Sequence, residues 1–342
     1  MSEGRVPVTV LTGFLGAGKT TLLNGLLRRP ELARTAVLIN EVGAVAIDHH
    51  LVRDVKGDAI VLGSGCICCT IAGDLVRALA ELWAQAQRGE VPQFERVLVE
   101  TTGLADPTGV IATLVQHPLV ARVYRPDAIV TVVDGEHGVA TLARHREAGA
   151  QVALADRLVV TKLDRATDDG LAALAAALTR RNRGAPVVRV SDGVVDPAWL
   201  LAPAAVHDRD GGGLAAWLRA STTTPALTLG GERDRHDDIV TAVASFAAPV
   251  RLGPLVLWLT LMTGMHGGSL LRVKGLVAVD GDDAPTVIHA VQHVVYPPRR
   301  LAAWPDDDRR TRLVFIARGL SAPALRALVT NLADTLGQPL VT

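Results

Sequence analysis

Along residues 1–190, short apolar runs rich in β-branched residues alternate with longer segments in which alanine and leucine recur at helical spacing. The runs at 6–12 (VPVTVLT), 35–40 (TAVLIN), 95–100 (ERVLVE), 127–134 (DAIVTVVD), 157–162 (RLVVTK) and 186–190 (PVVRV) predict strands, with a further strand-like run at 59–62. Helical spacing covers 20–29, 71–88, 136–153 and 168–181. Near-continuous apolar strands separated by helices imply an α/β fold: a mostly parallel sheet with helices on both faces. From 193 to 236 the texture shifts to Gly, Pro and charge (SDGVVDP, HDRDGGG, STTTP, GGERDRHDD), which predicts a linker with one short helix near 213–220. Strand-like segments at 239–247, 270–279, 286–295 and 312–317, with helical patterns at 253–265 and 321–336, predict a smaller C-terminal α+β domain. The expected organisation is residues 1–192, a linker over 193–236, and residues 237–342. The stretch PLVLWLTLMTGM (254–265) falls short of the ~20 residues that span a bilayer and is expected to be a buried helix, with Trp258 in the core.

Composition narrows the partners. The 342 residues are 49% hydrophobic and 20% charged, enough to bury a large core, and the length suggests two domains because single cores rarely grow past ~250 residues. Lys+Arg (35) equals Asp+Glu (35), so the basic excess of a nucleic-acid or membrane-surface protein is missing and neither partner is expected. Lysine is scarce among the basic residues, which makes Lys19 and Lys162 stand out. The N-terminal apolar run leads straight into a glycine-rich motif rather than a signal-peptide cleavage site. An odd number of tightly clustered cysteines argues against a disulfide framework, so the cytoplasm is the expected compartment.

That glycine-rich motif is GFLGAGKTT (13–21), a complete G-x-x-x-x-G-K-T between a predicted strand and a predicted helix. Gly13, Gly16 and Gly18, with Ala17, let backbone N–H groups turn toward phosphate oxygens, and the helix N-terminus adds a favourable dipole. Lys19 is expected to reach the β- and γ-phosphates, Thr20 to ligate Mg²⁺, and Thr21 to continue the cradle. After a later strand, Thr161-Lys162-Leu163-Asp164 places a carboxylate where it can accept two parallel hydrogen bonds. Guanine offers two adjacent donors and adenine does not, so Asp164 is expected to select GTP while the Lys162 stem lies along the base. In ERVLVETTGLADP (95–107), Glu100 closes an apolar strand and Gly103 follows three residues later. Glu100 is expected to hold Mg²⁺ or orient the attacking water, and the Gly103 N–H to approach the γ-phosphate. No glutamine follows Gly103 directly, which predicts slow intrinsic hydrolysis.

All three cysteines sit in LGSGCICCTI (62–71), as Cys66, Cys68 and Cys69 on a strand-to-helix turn. Thiolates in this spacing suit Zn²⁺ and similar ions, but three sulfurs leave a tetrahedral ion one ligand short. Glu41, in INEVGAVAIDHH (39–50), is the first candidate for the fourth position, ahead of His49 and His50. Such a ligand on a nucleotide-sensing loop would make metal and GTP affinities interdependent. A redox dithiol and inert structural thiols are the competing readings.

Taken together, TGFLGAGKTTLLN, LINEVGAVAID, GCICCT, VETTGLADP, VVD (132–134), QVALADR (151–157) and TKLD resemble the CobW family of P-loop GTPases. The likeness continues through LLRVKGLVAVDG (270–281), IHAVQHVVYPPRRLAAWP (288–305) and RTRLVFIARGL (310–320), so it covers nearly the whole chain. It implies GTP binding, slow hydrolysis, and transfer of a bivalent metal, Zn²⁺ first and Co²⁺ second, to a client metalloprotein. It also implies metal binding by Cys66, Cys68 and Cys69, a Walker-B-like role for Glu100 and base recognition by Asp164. The chain departs from the family's N-E-F-G-E at Asn40-Glu41-Val42-Gly43-Ala44, losing the second glutamate. Ser64 replaces the usual asparagine, and His207 and His236 are the linker's only histidines. Two other functions fit parts of the pattern: a GTP-regulated assembly factor with structural cysteines, and a P-loop small-molecule kinase, which T-K-L-D disfavours. His289 and His293 are expected on one strand face, His266 at a helix end, and the arginines at 299–312 on a solvated or client-docking surface.

Overall fold

The computed structural model describes residues 4–39, 60–63, 71–191, 193–208, 210–222 and 239–341. The chain divides into two compact units, Met1–Ala177 with Pro186–Ala202, and Leu178–Ala185 with Pro203–Thr342.

In the first unit the β-branched runs become seven strands: β1 (Val6–Thr12), β2 (Thr35–Ile39), β3 (Ile60–Gly63), β4 (Arg96–Glu100), β5 (Tyr124–Asp134), β6 (Arg157–Thr161) and β7 (Val187–Arg189). Every pairing is parallel and the order is β3-β2-β4-β1-β5-β6-β7. The central strand β1 therefore has neighbours that start 90 or more residues later in the chain. The helices are α1 (Lys19–Leu27), α2 (Ile71–Arg88), α3 (Thr108–Gln116), α4 (Pro118–Val123), α5 (Gly138–Arg144), α6 (Arg146–Leu154), α7 (Asp168–Arg181), which runs into the second unit, and α8 (Pro197–Leu201). Both faces of the sheet are covered. Val130 and Val132 of β5 join Leu22, Leu23 and Leu26 of α1, whereas Thr131 between them turns to α6 and donates to the Gln151 carbonyl at 2.8 Å. This is the architecture the strand and helix pattern predicts.

Two local differences have physical causes. Residues 108–116 and 118–123 are helical although Val110, Ile111, Thr113 and Val115 favour strands, because burial of Val110, Ile111 and Leu114 outweighs propensity. The expected helix at 136–153 breaks into α5 and α6 at His145, whose backbone is extended (φ −121°, ψ 113°).

The second unit holds an antiparallel sheet of β8 (Ile239–Phe246), β9 (Leu270–Val277), β10 (Thr286–Val291), β11 (Val294–Val295) and β13 (Thr311–Arg318), ordered β11-β10-β9-β13-β8, with β12 (Arg299–Arg300) pairing β10. On one face lie α10 (Leu252–His266) and α11 (Ala322–Leu336); Trp258 packs edge-on against Phe315 and donates its N–H to Asn331 Oδ1 at 2.7 Å. On the other lies α9 (Gly212–Thr222), whose Trp217 ring faces the buried Lys274 ammonium at 4.9 Å.

Three expectations need correction here. Helix α10 ends at His266 as the sequence suggests, but it is only half buried: Leu255, Trp258, Leu259 and Thr263 face the core while Leu257, Leu261 and Met265 are exposed. The run 286–295 is not one strand, since a reverse turn at Gln292 (φ +48°) and His293 pairs Val291 with Val294. Hence His289 and His293 do not share a face: His289 is buried against Tyr296 and near Arg272, and His293 is exposed in the turn. Ion pairs Arg300–Asp282, Arg310–Asp308 and Arg312–Asp306 neutralise much of the 299–312 cluster. No helix of the described residues is long and apolar enough to cross a membrane.

Candidate functional site

The C-terminal edge of the parallel sheet gathers the chemistry. At the end of β1 the chain turns through Gly13 (φ +142°), where a Cβ would lie 2.2 Å from the Val132 carbonyl oxygen of β5. No other residue fits there, so the loop is held tight against its neighbouring strand. The loop ends in α1, whose first turn carries no acidic residue, so the positive end of the helix is left for a bound anion. Lys19, 9% exposed, folds back and donates from Nζ to the carbonyls of Gly13 at 2.8 Å and Phe14 at 3.4 Å. Its ammonium is thus suspended across the loop mouth.

From α1, the Thr20 hydroxyl donates to Glu100 Oε1 at 3.3 Å. Glu100 is buried at the end of β4, and the next residue ties the following loop to β1: the Thr101 N–H bonds Leu11 O and its hydroxyl bonds Thr12 Oγ1, both at 2.9 Å. The loop then turns at Thr102–Ala105, where the Ala105 N–H donates to Thr102 O at 3.1 Å. Gly103 in this turn is pressed on the phosphate loop so closely that a Cβ would be 2.5 Å from the Leu15 nitrogen.

On the other side of β1, the Thr161 hydroxyl at the end of β6 donates to Ala17 O at 2.7 Å. Lys162 adopts a left-handed conformation (φ 54°, ψ 41°), uncommon outside glycine. Its Nζ donates to Asp134 Oδ2 at 2.7 Å. Burial pushes the Asp134 carboxyl upward, but the Lys162 hydrogen bond and charge, with the N–H groups of His137 and Glu136, hold it below its ordinary value. Asp164 follows on the same edge with its side chain 66% exposed. Behind the phosphate loop, Phe14, Leu15, Val133, Leu142 and Gln151 help line a small cleft, beside which Phe14 stacks on His145.

Gly13, Gly16, Ala17, Gly18, Lys19, Thr20, Glu100, Gly103, Thr161, Lys162 and Asp164 thus belong to one edge, with Thr21 exposed at the start of α1. Cys66, Cys68, Cys69 and Glu41, with His49 and His50, lie outside the described residues. Among the described residues no group of three or more His, Cys, Asp or Glu could hold a metal ion. The strands that lead into those two segments are described. Ile39, the last residue of β2, pairs in register with Gly63, the last of β3, and with Glu100 of β4. β2 and β3 therefore end at adjacent points, and β2 lies between β3 and the end of β4 at Glu100.

The sequence reading gave no individual role to Asp134 or Gln151. Asp134 carries a usable signal, an acid closing an apolar strand before Gly135, the same pattern as Glu100.

Comparison with known proteins bears on the family and the fold. Residues 7–189 match the family model "CobW/HypB/UreG, nucleotide-binding domain", and residues 239–333 match "Cobalamin synthesis protein cobW C-terminal domain". The zinc chaperone YjiA of Escherichia coli (strain K12) is 31% identical, over 96% of this chain and 98% of its own length. A zinc chaperone CobW of Sinorhizobium sp. is 28% identical, over 97% and 98%. A crystal structure of a Zn(II)-bound triple mutant of YjiA GTPase, with one glutamate and two cysteines changed to alanine, superposes with a TM-score of 0.73 at 27% identity, covering 96% of this chain and 99% of that one. The chain belongs to the CobW family of P-loop GTPases.

Proposed function

We propose that this chain binds GTP on the loop Gly13–Thr21, hydrolyses it slowly, and uses the cycle to load a bivalent metal onto a client metalloprotein. Zn²⁺ is the first candidate cargo and Co²⁺ the second. The cargo is held by Cys66, Cys68 and Cys69, with Glu41 as fourth ligand. The observation that carries this reading is the register of Ile39 with both Gly63 and Glu100, which starts the two ligand-bearing segments beside the nucleotide edge. The names of the zinc-chaperone relatives support the choice of zinc, as does thiolate preference.

In this reading Lys19 binds the β- and γ-phosphates, Asp164 reads the guanine edge, and Lys162, pinned by Asp134, lies along the base. The Thr20 hydroxyl and the Glu100 carboxylate are hard oxygen donors 3.3 Å apart, a set that suits Mg²⁺. When bound there, Mg²⁺ would offset charge on the β- and γ-oxygens. The Gly103 N–H approaches the γ-phosphate and Glu100 orients the water. GTP orders the loop that carries Glu41 and closes the thiol site; hydrolysis loosens it and releases the ion to the client.

Zinc titration of the parent and of Cys66→Ser, each with a non-hydrolysable GTP analogue and with GDP, tests this. The relative's triple mutant is Zn(II)-bound, so the expected change is loss of the tightest equivalent rather than of all zinc. The parent should bind that equivalent at least ~5-fold more tightly with the GTP analogue than with GDP. Equal affinities in both states, with Cys66→Ser unchanged, would refute the coupling and favour structural thiols. Independently, Gly103→Ala drives a methyl into the Leu15 backbone and displaces the turn; single-turnover hydrolysis is expected to slow by about 100-fold.

A further inference from the structure

Gln151 on α6 is a buried amide, 1% exposed, with a specific connection. Its Nε2 donates to Gly103 O at 3.2 Å and to Ala105 O at 3.1 Å. Those carbonyls flank Leu104, which is exposed at the tip of the turn, so one side chain spans the turn from its inner side. Two carbonyl acceptors fix the amide orientation, since Oε1 could donate to neither. Oε1 itself is buried without a hydrogen-bond partner among the described residues. A buried unsatisfied acceptor is a cost, and what this residue supplies in return is its two donors. The helix that carries it is anchored in turn, because the Gln151 backbone carbonyl accepts from Thr131 of β5. The Thr102–Ala105 turn is therefore gripped from two sides: by the phosphate loop at Leu15 and by the core at Gln151.

We propose that Gln151 is a positioning residue for GTP hydrolysis, its amide holding the Thr102–Ala105 turn at the phosphate loop so that the Gly103 N–H is preset for the γ-phosphate. This rests on the reading of the Glu100–Gly103 segment given above. The two amide donors of Gln151 go to the turn, so it acts through the backbone of Gly103. Ground-state GTP affinity comes from the phosphate loop and Asp164, so loss of the amide should appear in kcat rather than in KM.

The test uses the full chain with Gln151→Met, which keeps length and apolar packing but has no donor, and with Gln151→Glu. For Gln151→Met, kcat should fall by about tenfold or more, as expected if the net worth of two hydrogen bonds is lost, while KM stays within about twofold. Gln151→Glu offers no donor when ionised and one when protonated. Burial beside two carbonyl oxygens raises the pKa of that new carboxyl. Its kcat should therefore recover as pH falls, relative to the parent profile, with KM still within about twofold, whereas a purely structural role would move both. A Gln151→Met kcat within twofold of the parent, or a Gln151→Glu profile parallel to the parent's, overturns the proposal. Glu100→Gln in the same assay separates the two readings. If it loses activity while Gln151→Met keeps it, only the role of Gln151 falls; if both keep full activity, the reading of the segment falls as well.

Discussion

Lys19→Ala is expected to lower single-turnover GTP hydrolysis by about 10³-fold, the upper range for removing one donor that stabilises charge in a transition state. The ammonium is held over the loop by bonds to Gly13 O and Phe14 O, so it is in place before the nucleotide arrives and costs little reorganisation. Without it the loop still presents backbone N–H groups, and binding should weaken less than turnover. Lys19→Arg should not rescue: a guanidinium is a rigid planar fork, and the space between two carbonyls of one tight loop suits a compact ammonium. Quenched-flow rates at saturating GTP measure the effect. A Lys19→Ala rate within tenfold of the parent would remove the phosphate assignment from this loop.

Asp164→Asn is expected to exchange nucleotide preference. In the proposed reading the carboxylate accepts from both guanine donors; the asparagine amide would keep one acceptor but turn a donor toward the exocyclic amine. Xanthine, which carries a carbonyl there, matches that amide. GTP affinity should fall by about 10²–10³-fold, less than the ~10⁴–10⁵ of a fully enclosed polar match, because the Asp164 side chain is 66% exposed. XTP affinity should rise by a similar factor. Competition of GTP, XTP and ATP against a fluorescent analogue reads this directly. A variant that loses GTP without gaining XTP would indicate a collapsed loop instead of an altered base edge, and the Lys162–Asp134 pair would be the place to look.

What could be read from the residues depended on whether the constraint was local. The parallel strands were legible because burial on both faces demands unbroken β-branched runs, and the ranges 71–88 and 168–181 coincide with α2 and α7. The phosphate loop was legible because sterics speak through residue type: at Gly13 a neighbouring carbonyl leaves no room for Cβ. The helices at Thr108–Gln116 and Pro118–Val123 were not, since their β-branched residues obey packing rather than propensity. The β10–β11 turn carries Gln292 in a left-handed conformation with no glycine or asparagine to announce it. Gln151 was opaque for a different reason. Its partners lie 46 and 48 residues earlier, and nothing in a helical register reveals which loop an inward amide will meet.

The placement of β1 between β4 and β5 bears on how the protein is made. Val6–Thr12 leaves the ribosome with neither neighbour yet translated, and the second arrives only when synthesis has passed Asp134. At ~5–20 residues per second that is an interval of about 6–25 s. Once Glu100 has emerged β4 can pair with one edge of β1, but its other edge stays open until β5 is complete, so guanine nucleotide can reward folding only after this last neighbour docks.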